Sequence, residues 1–92
     1  MNEVAALLNR ACAVLKEAGA REVYAFGSVT RPDFQSGSDV DLGVRGLPTE
    51  FFFRAAARVT EALNREVDLV DLDRQNPFTD HLRRSGELVR VG

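Results

Sequence analysis

The chain has 92 residues, with 12 basic and 14 acidic side chains and a formal net charge of -2. That length predicts a single domain over residues 1–92, and the near balance of charge argues against a general nucleic-acid binder, which carries a basic excess. No apolar run is long enough to span a bilayer and no signal-peptide pattern opens the chain. Cys12 stands alone, so an internal disulfide is excluded and a cytoplasmic setting is expected.

Val4, Leu8, Ala11, Leu15 and Ala18 recur at helical spacing, widened by Leu7 and Val14. With Asn2 as cap, Glu3 in the first turn and Gly19 at the end, they predict a first helix of about four turns. Cys12 falls within its apolar residues and reads as a buried structural thiol. Residues 22 to 26 read as a short buried strand, followed by an abrupt helical turn from Ser28 to Arg31, because Pro32 disfavours helix at Arg31. Asp33 to Gly37 form a polar loop. Ser38 to Arg45 read as a second strand, with Val40, Leu42 and Val44 on one face and Asp39, Asp41 and Gly43 on the other. Gly46 ends it.

Pro48 in the first turn and Glu50 behind it open a second long helix, buried along Phe52, Ala56, Val59 and Leu63. The run Phe51-Phe52-Phe53 covers more than one face, so at least one ring is expected outside the main core. Residues 66 to 71 form a third strand. Asn76-Pro77 opens a short helix ending near Gly86, and Glu87 to Val91 add an edge strand. The fold class that follows is α+β, a small mixed β-sheet with helices packed on one side.

Ten residues separate Gly27-Ser28 from Asp39-Val40-Asp41. A Gly-Ser turn after an apolar strand brings backbone N–H groups and a hydroxyl close to a phosphate. Aspartates at i and i+2 on a strand share a face, so Asp39 and Asp41 can share divalent metal. Two magnesium ions roughly 3.5–4 Å apart activate an attacking oxygen and stabilise a leaving one, which is what phosphoryl and nucleotidyl transfer require. A third carboxylate must then come from a neighbouring strand. Asp68 is favoured; Asp71, an odd number of residues away, faces the other side unless a bulge intervenes. Arg31 is within reach of the same phosphates, or is a solvated loop arginine. Ser38 either bonds across the loop, the favoured role, or binds phosphate. His81, Asp73, Arg74 and Asp80 read as surface groups, with no zinc pattern near His81.

Phe26-Gly27-Ser28, the ten-residue spacer, Ser38-Asp39-Val40-Asp41-Leu42 and Val67-Asp68-Leu69-Val70 together resemble the minimal nucleotidyltransferase family, a branch of the DNA polymerase β-like superfamily. The resemblance spans almost the whole chain and implies the nucleotidyltransferase fold. It also implies two Mg2+ ions, a nucleoside triphosphate (ATP by analogy), a metal-binding triad of Asp39, Asp41 and Asp68, and a phosphate-binding turn at Gly27 and Ser28. Thr30 and Pro32 depart from the usual Gly-Ser-x-Ala-Arg-Gly form, which affects the loop and removes no metal ligand. Many small members resemble antitoxins that transfer AMP from ATP to a tyrosine of a helical HEPN ribonuclease toxin. With no room for an acceptor-binding domain in 92 residues, a second protein or a homo-oligomer is expected to supply the acceptor site. Two other readings remain: a catalytic subunit that modifies a small molecule, and a non-catalytic antitoxin acting by occlusion.

Overall fold

The computed structural model of the chain describes residues 3–34 and 38–92. Among them the order is α1 (Glu3–Glu17), β1 (Glu22–Phe26), a 3-10 turn (Gly27–Thr30), β2 (Val40–Arg45), α2 (Thr49–Leu63), β3 (Val67–Asp71), α3 (Pro77–Ser85) and β4 (Val89–Arg90). This is the succession the sequence predicts. Several boundaries move. The helical turn starts at Gly27 rather than Ser28, and β2 at Val40 rather than Ser38. α2 starts at Thr49, one residue beyond Pro48, and β3 at Val67 rather than residue 66, while β4 shortens to Val89–Arg90. The expected cap Asn2 and the end of the polar loop, 35–37, lie outside the described residues.

The four strands form one sheet in the order β3-β2-β1-β4. β1 runs antiparallel to both β2 and β4, whereas β2 and β3 are parallel. A parallel pair cannot be joined by a tight turn, so α2 serves as the crossover between β2 and β3. Pairing of β2 with β3 runs without interruption from Val40↔Val67 to Val44↔Asp71.

Alternation along the strands sorts side chains onto two faces. Val23 and Ala25 of β1, with Val40, Leu42 and Val44 of β2, join Ala11 and Leu15 of α1 and Ala55 and Val59 of α2 in the main core. Leu15 and Leu42 are fully buried there, each worth roughly 1.5–3 kcal/mol relative to exposure. The expected placement of helices on one side holds for α1 and α2. The short α3 lies instead over the opposite face, where Leu82 packs with Phe26 and Leu72 in a second, smaller cluster. Gly43 makes room for it. A Cβ at that position would come within 2.7 Å of Leu72 Cδ1, so only glycine lets Leu72 seat against β2.

Local signals set the ends of α3. The side chain of Asn76 accepts from the Thr79 N–H at 2.9 Å, and Thr79 Oγ1 accepts from the Asn76 N–H at 3.2 Å, forming a reciprocal cap with Pro77 at the first helical position. Gly86 ends the helix in the left-handed region. Of the three phenylalanines of α2, Phe52 packs on the main core, while Phe51 is 43% and Phe53 82% exposed. Cys12 is half-buried beside the main core, with Gly92 directly against its sulfur.

Candidate active site

The sequence-predicted motifs meet where β1 ends and β2 and β3 begin. Phe26, the last residue of β1, is paired with Asp41. The chain then enters the left-handed region at Gly27, with φ +71°, and winds into the 3-10 turn. A Cβ on Gly27 would lie 2.4 Å from Asp41 Oδ2, so the carboxylate occupies the space that a side chain would need. The phosphate-type turn and the carboxylate are therefore in direct contact. Thr30, a departure from the usual form of the motif, donates from Oγ1 to the Gly27 carbonyl at 2.7 Å. The Arg31 N–H donates to the Ser28 carbonyl at 3.0 Å, closing the same turn.

Asp68 is the direct partner of Asp41 across the parallel β2–β3 pair, so both carboxylates stand on the face opposite α1 and α2. Asp71 is aligned with Val44 on the other face, and its Oδ1 accepts from the Asp73 N–H at 3.0 Å. Asp39 lies just ahead of β2 and is exposed, as is Asp68, while Asp41 is half-buried. Asp39 thus belongs to the approach to the strand, one residue ahead of its first paired position, and its charge acts on Asp41.

The electrostatics of Asp41 follow from this crowding. Burial is the largest cause raising its pKa above the usual carboxylate value. The charge of Asp68, a hydrogen bond between the two carboxyl groups and the charge of Asp39 push it in the same direction. A divalent cation is the natural relief for such a pair. Among the described residues no three His, Cys, Asp or Glu side chains are drawn together closely enough to enclose a metal ion by themselves. Magnesium does not need that, because it commonly takes one or two protein carboxylates and completes its octahedron with substrate phosphates and water. The oxygen donors of Asp41 and Asp68, side by side at an open end of the sheet, fit this group.

The remaining predicted residues are placed as follows. Ser28 is half-buried in the turn, and the side chain of Arg31 is exposed beside it. The Ser38 carbonyl accepts from Arg65 Nη1 at 3.5 Å, a contact across the fold to the residue just after α2. Sequence reasoning missed Arg65; its only local signal is its position after Asn64, which closes α2 in the left-handed conformation at φ +53°. His81 and Arg74 are exposed. Asp73 and Asp80 do more than face solvent. Asp73 pairs with Arg45 at 3.7 Å and accepts from the Gly46 N–H at 2.7 Å, and Asp80 pairs with Arg83 at 2.8 Å. Among the described residues no helix is long and apolar enough to cross a membrane.

A mixed sheet that sets a Gly-Ser turn against paired aspartates defines a nucleotidyltransferase domain. Residues 12–90 match the family described as polymerase beta, nucleotidyltransferase, and the chain belongs to it. No curated protein matches the chain. Among solved structures, one described as a minimal nucleotidyltransferase is 27% identical with a TM-score of 0.73, and the likeness covers 98% of this chain and 97% of that one. A toxin–antitoxin crystallised with AMP-PNP shares the fold at 23% identity and a TM-score of 0.73, over 90% of this chain and 70% of that one. The toxin–antitoxin MntA–HepT is similar at 25% identity and a TM-score of 0.57, over 77% of this chain and 57% of that one.

Proposed function

We propose that this protein is a nucleotidyltransferase antitoxin that transfers AMP from ATP to a tyrosine of a partner HEPN-type ribonuclease toxin and thereby silences it. The observation that carries the reading is the contact of Gly27 with Asp41, together with the alignment of Asp41 and Asp68. A turn suited to phosphates and a pair of carboxylates suited to magnesium occupy one corner of the sheet. Membership of the nucleotidyltransferase family and the likeness to a toxin–antitoxin pair support the choice of reaction and partner.

In this reading Gly27 lets the backbone approach the triphosphate, and Ser28 offers its hydroxyl and the N–H groups of the turn to phosphate oxygens. Arg31, exposed beside the turn, supplies a cation to the same phosphates. Asp39 and Asp41 would bind both magnesium ions and Asp68 the ion on the nucleophile side. When bound, the ions neutralise charge on the phosphates and activate the attacking oxygen. Asp68 is on the edge strand and exposed, and in this reading it would accept the proton of the incoming tyrosine hydroxyl. Ser38 acts through its backbone in holding the loop, and the protein works in the cytoplasm, where ATP and the toxin are both present.

Intact-mass measurement of the neighbouring gene's product, after incubation with this protein, ATP and magnesium, tests the proposal. Increments of AMP are expected, and they should vanish with the Asp39→Ala/Asp41→Ala variant. A partner that is bound and silenced without any increment would replace transfer by occlusion. Transfer to a small molecule but not to the partner would make the chain a catalytic subunit of a different kind.

A further inference from the structure

Of the three carboxylates assigned to the metal ions, Asp41 and Asp68 are fixed by strand pairing, whereas Asp39 precedes the ladder. Its two neighbours are nevertheless both tied to the same short stretch after α2. On one side Arg65 Nη1 donates to the Ser38 carbonyl at 3.5 Å. On the other the Val40 N–H donates to the Glu66 carbonyl at 3.1 Å. Arg65 makes a further contact at the other end of the loop, where its guanidinium carbon stands 5.8 Å from the centroid of the Phe34 ring. Phe34 itself packs against the main core, so the guanidinium links Ser38 to an anchored side chain. Asn64 aims this arrangement, because its left-handed conformation ends α2 and turns the chain toward β3.

We propose that Arg65 is a positioning residue for Asp39, holding the residue before it while Glu66 holds the residue after it, so that the Asp39 carboxylate is presented beside Asp41. The inference rests on the functional reading above, in which Asp39 is a metal ligand. A planar guanidinium can lie over a ring and donate sideways to a carbonyl together. A lysine ammonium on a flexible stem can do only one of the two well. Residues that orient metal ligands typically contribute a factor of about 10–100 in metal affinity.

The test is Mn2+ titration of the whole chain by electron paramagnetic resonance, paired with amide hydrogen exchange at Asp39 and Val40. Arg65→Ala is expected to weaken Mn2+ binding by about 10–100-fold. It should also speed exchange at those two amides and leave the thermal midpoint near that of wild type, with Arg65→Lys recovering part of the affinity. Asp39→Asn should weaken Mn2+ binding without speeding exchange, and adding Arg65→Ala to it should weaken binding no further. A folded Arg65→Ala variant with wild-type exchange and wild-type Mn2+ affinity overturns the proposal, as does full additivity with Asp39→Asn. If Arg65→Ala does not fold, Arg65→Lys decides in the same way, its unchanged affinity counting against the proposal. The two readings fail separately: wild-type protein that binds Mn2+ but transfers no AMP removes the proposed function and leaves the role of Arg65 intact.

Discussion

Gly27 and Asp41 share a space that only one side chain can occupy. The carboxylate Oδ2 of Asp41 sits 2.4 Å from where a Cβ on residue 27 would be, and Gly27 has a positive φ of 71°. Glycine is therefore demanded twice, once by backbone conformation and once by the carboxylate. Gly27→Ala should cost about 1–2 kcal/mol in left-handed strain alone, with more from the displaced Asp41. Chemical denaturation would measure the loss. Nucleotide transfer should fall further than stability does, because the displaced group is a proposed ligand.

The pairing of Asp41 with Asp68 predicts an opposition between stability and chemistry. Asp41 has a raised pKa in the folded chain, chiefly through burial and then through Asp68. The folded state thus holds this proton more tightly than the unfolded state does. The associated stability is complete below the ordinary carboxylate range and is lost as pH rises through the raised value. At neutral pH the ionised pair is a liability. Asp41→Asn should accordingly raise the thermal midpoint at neutral pH while abolishing transfer, and the gain should shrink as pH is lowered below the usual carboxylate range. A variant less stable than wild type at neutral pH would contradict this account of the site.

Magnesium should act on the same liability from the other direction. A cation bound by the folded chain alone raises its stability in proportion to the logarithm of its concentration. Thermal melts should shift upward as Mg2+ and a non-hydrolysable ATP analogue are added, and the shift should be lost in Asp41→Asn. Magnesium-free buffer with a chelator gives the reference state.

Gly43 and Leu72 offer a prediction remote from the chemistry. A Cβ on Gly43 would meet Leu72 Cδ1 at 2.7 Å, and Leu72 is 1% exposed. Gly43→Val should cost about 1–3 kcal/mol through overpacking. Leu72→Ala should cost about 2–5 kcal/mol through the cavity it leaves. The double variant should be more stable than the sum of the two losses implies, because valine fills part of the space vacated by leucine. Urea denaturation of the three variants would measure this coupling.

Phe52 and Phe53 should separate cleanly in the same assay, although they are adjacent. Phe53 is exposed, so Phe53→Ser should change stability by less than about 0.5 kcal/mol. Phe52 packs on the main core, and Phe52→Ala should cost up to about 3 kcal/mol, the lower end for such a change because the ring is only partly buried.

Much of this was legible in the chain itself. Hydrophobic alternation placed Val40, Leu42 and Val44 on the core face, and Asn76-Pro77 with Gly86 marked both ends of α3, because strand parity and helix caps are local properties. Parity also separated Asp68 from Asp71, but could not say which of them faces Asp41. That depends on register between strands joined by a whole helix, and the Asp41↔Asp68 alignment supplies it. The solvated reading of Asp73 missed its bond to the Gly46 N–H, a contact between residues 27 positions apart.

By itself the sequence determined the element order, the Gly-Ser turn and the spacing of the aspartates, since each is written in neighbouring residues. Only the tertiary structure decided that α3 crosses to the other face, that Gly27 yields its side-chain space to Asp41, and that residues 65 and 66 hold both flanks of Asp39. Those relationships come from packing and hydrogen bonds between segments far apart in the chain. No local pattern encodes them, because they become defined only when β2 pairs antiparallel with β1 and parallel with β3 and the strands come into register.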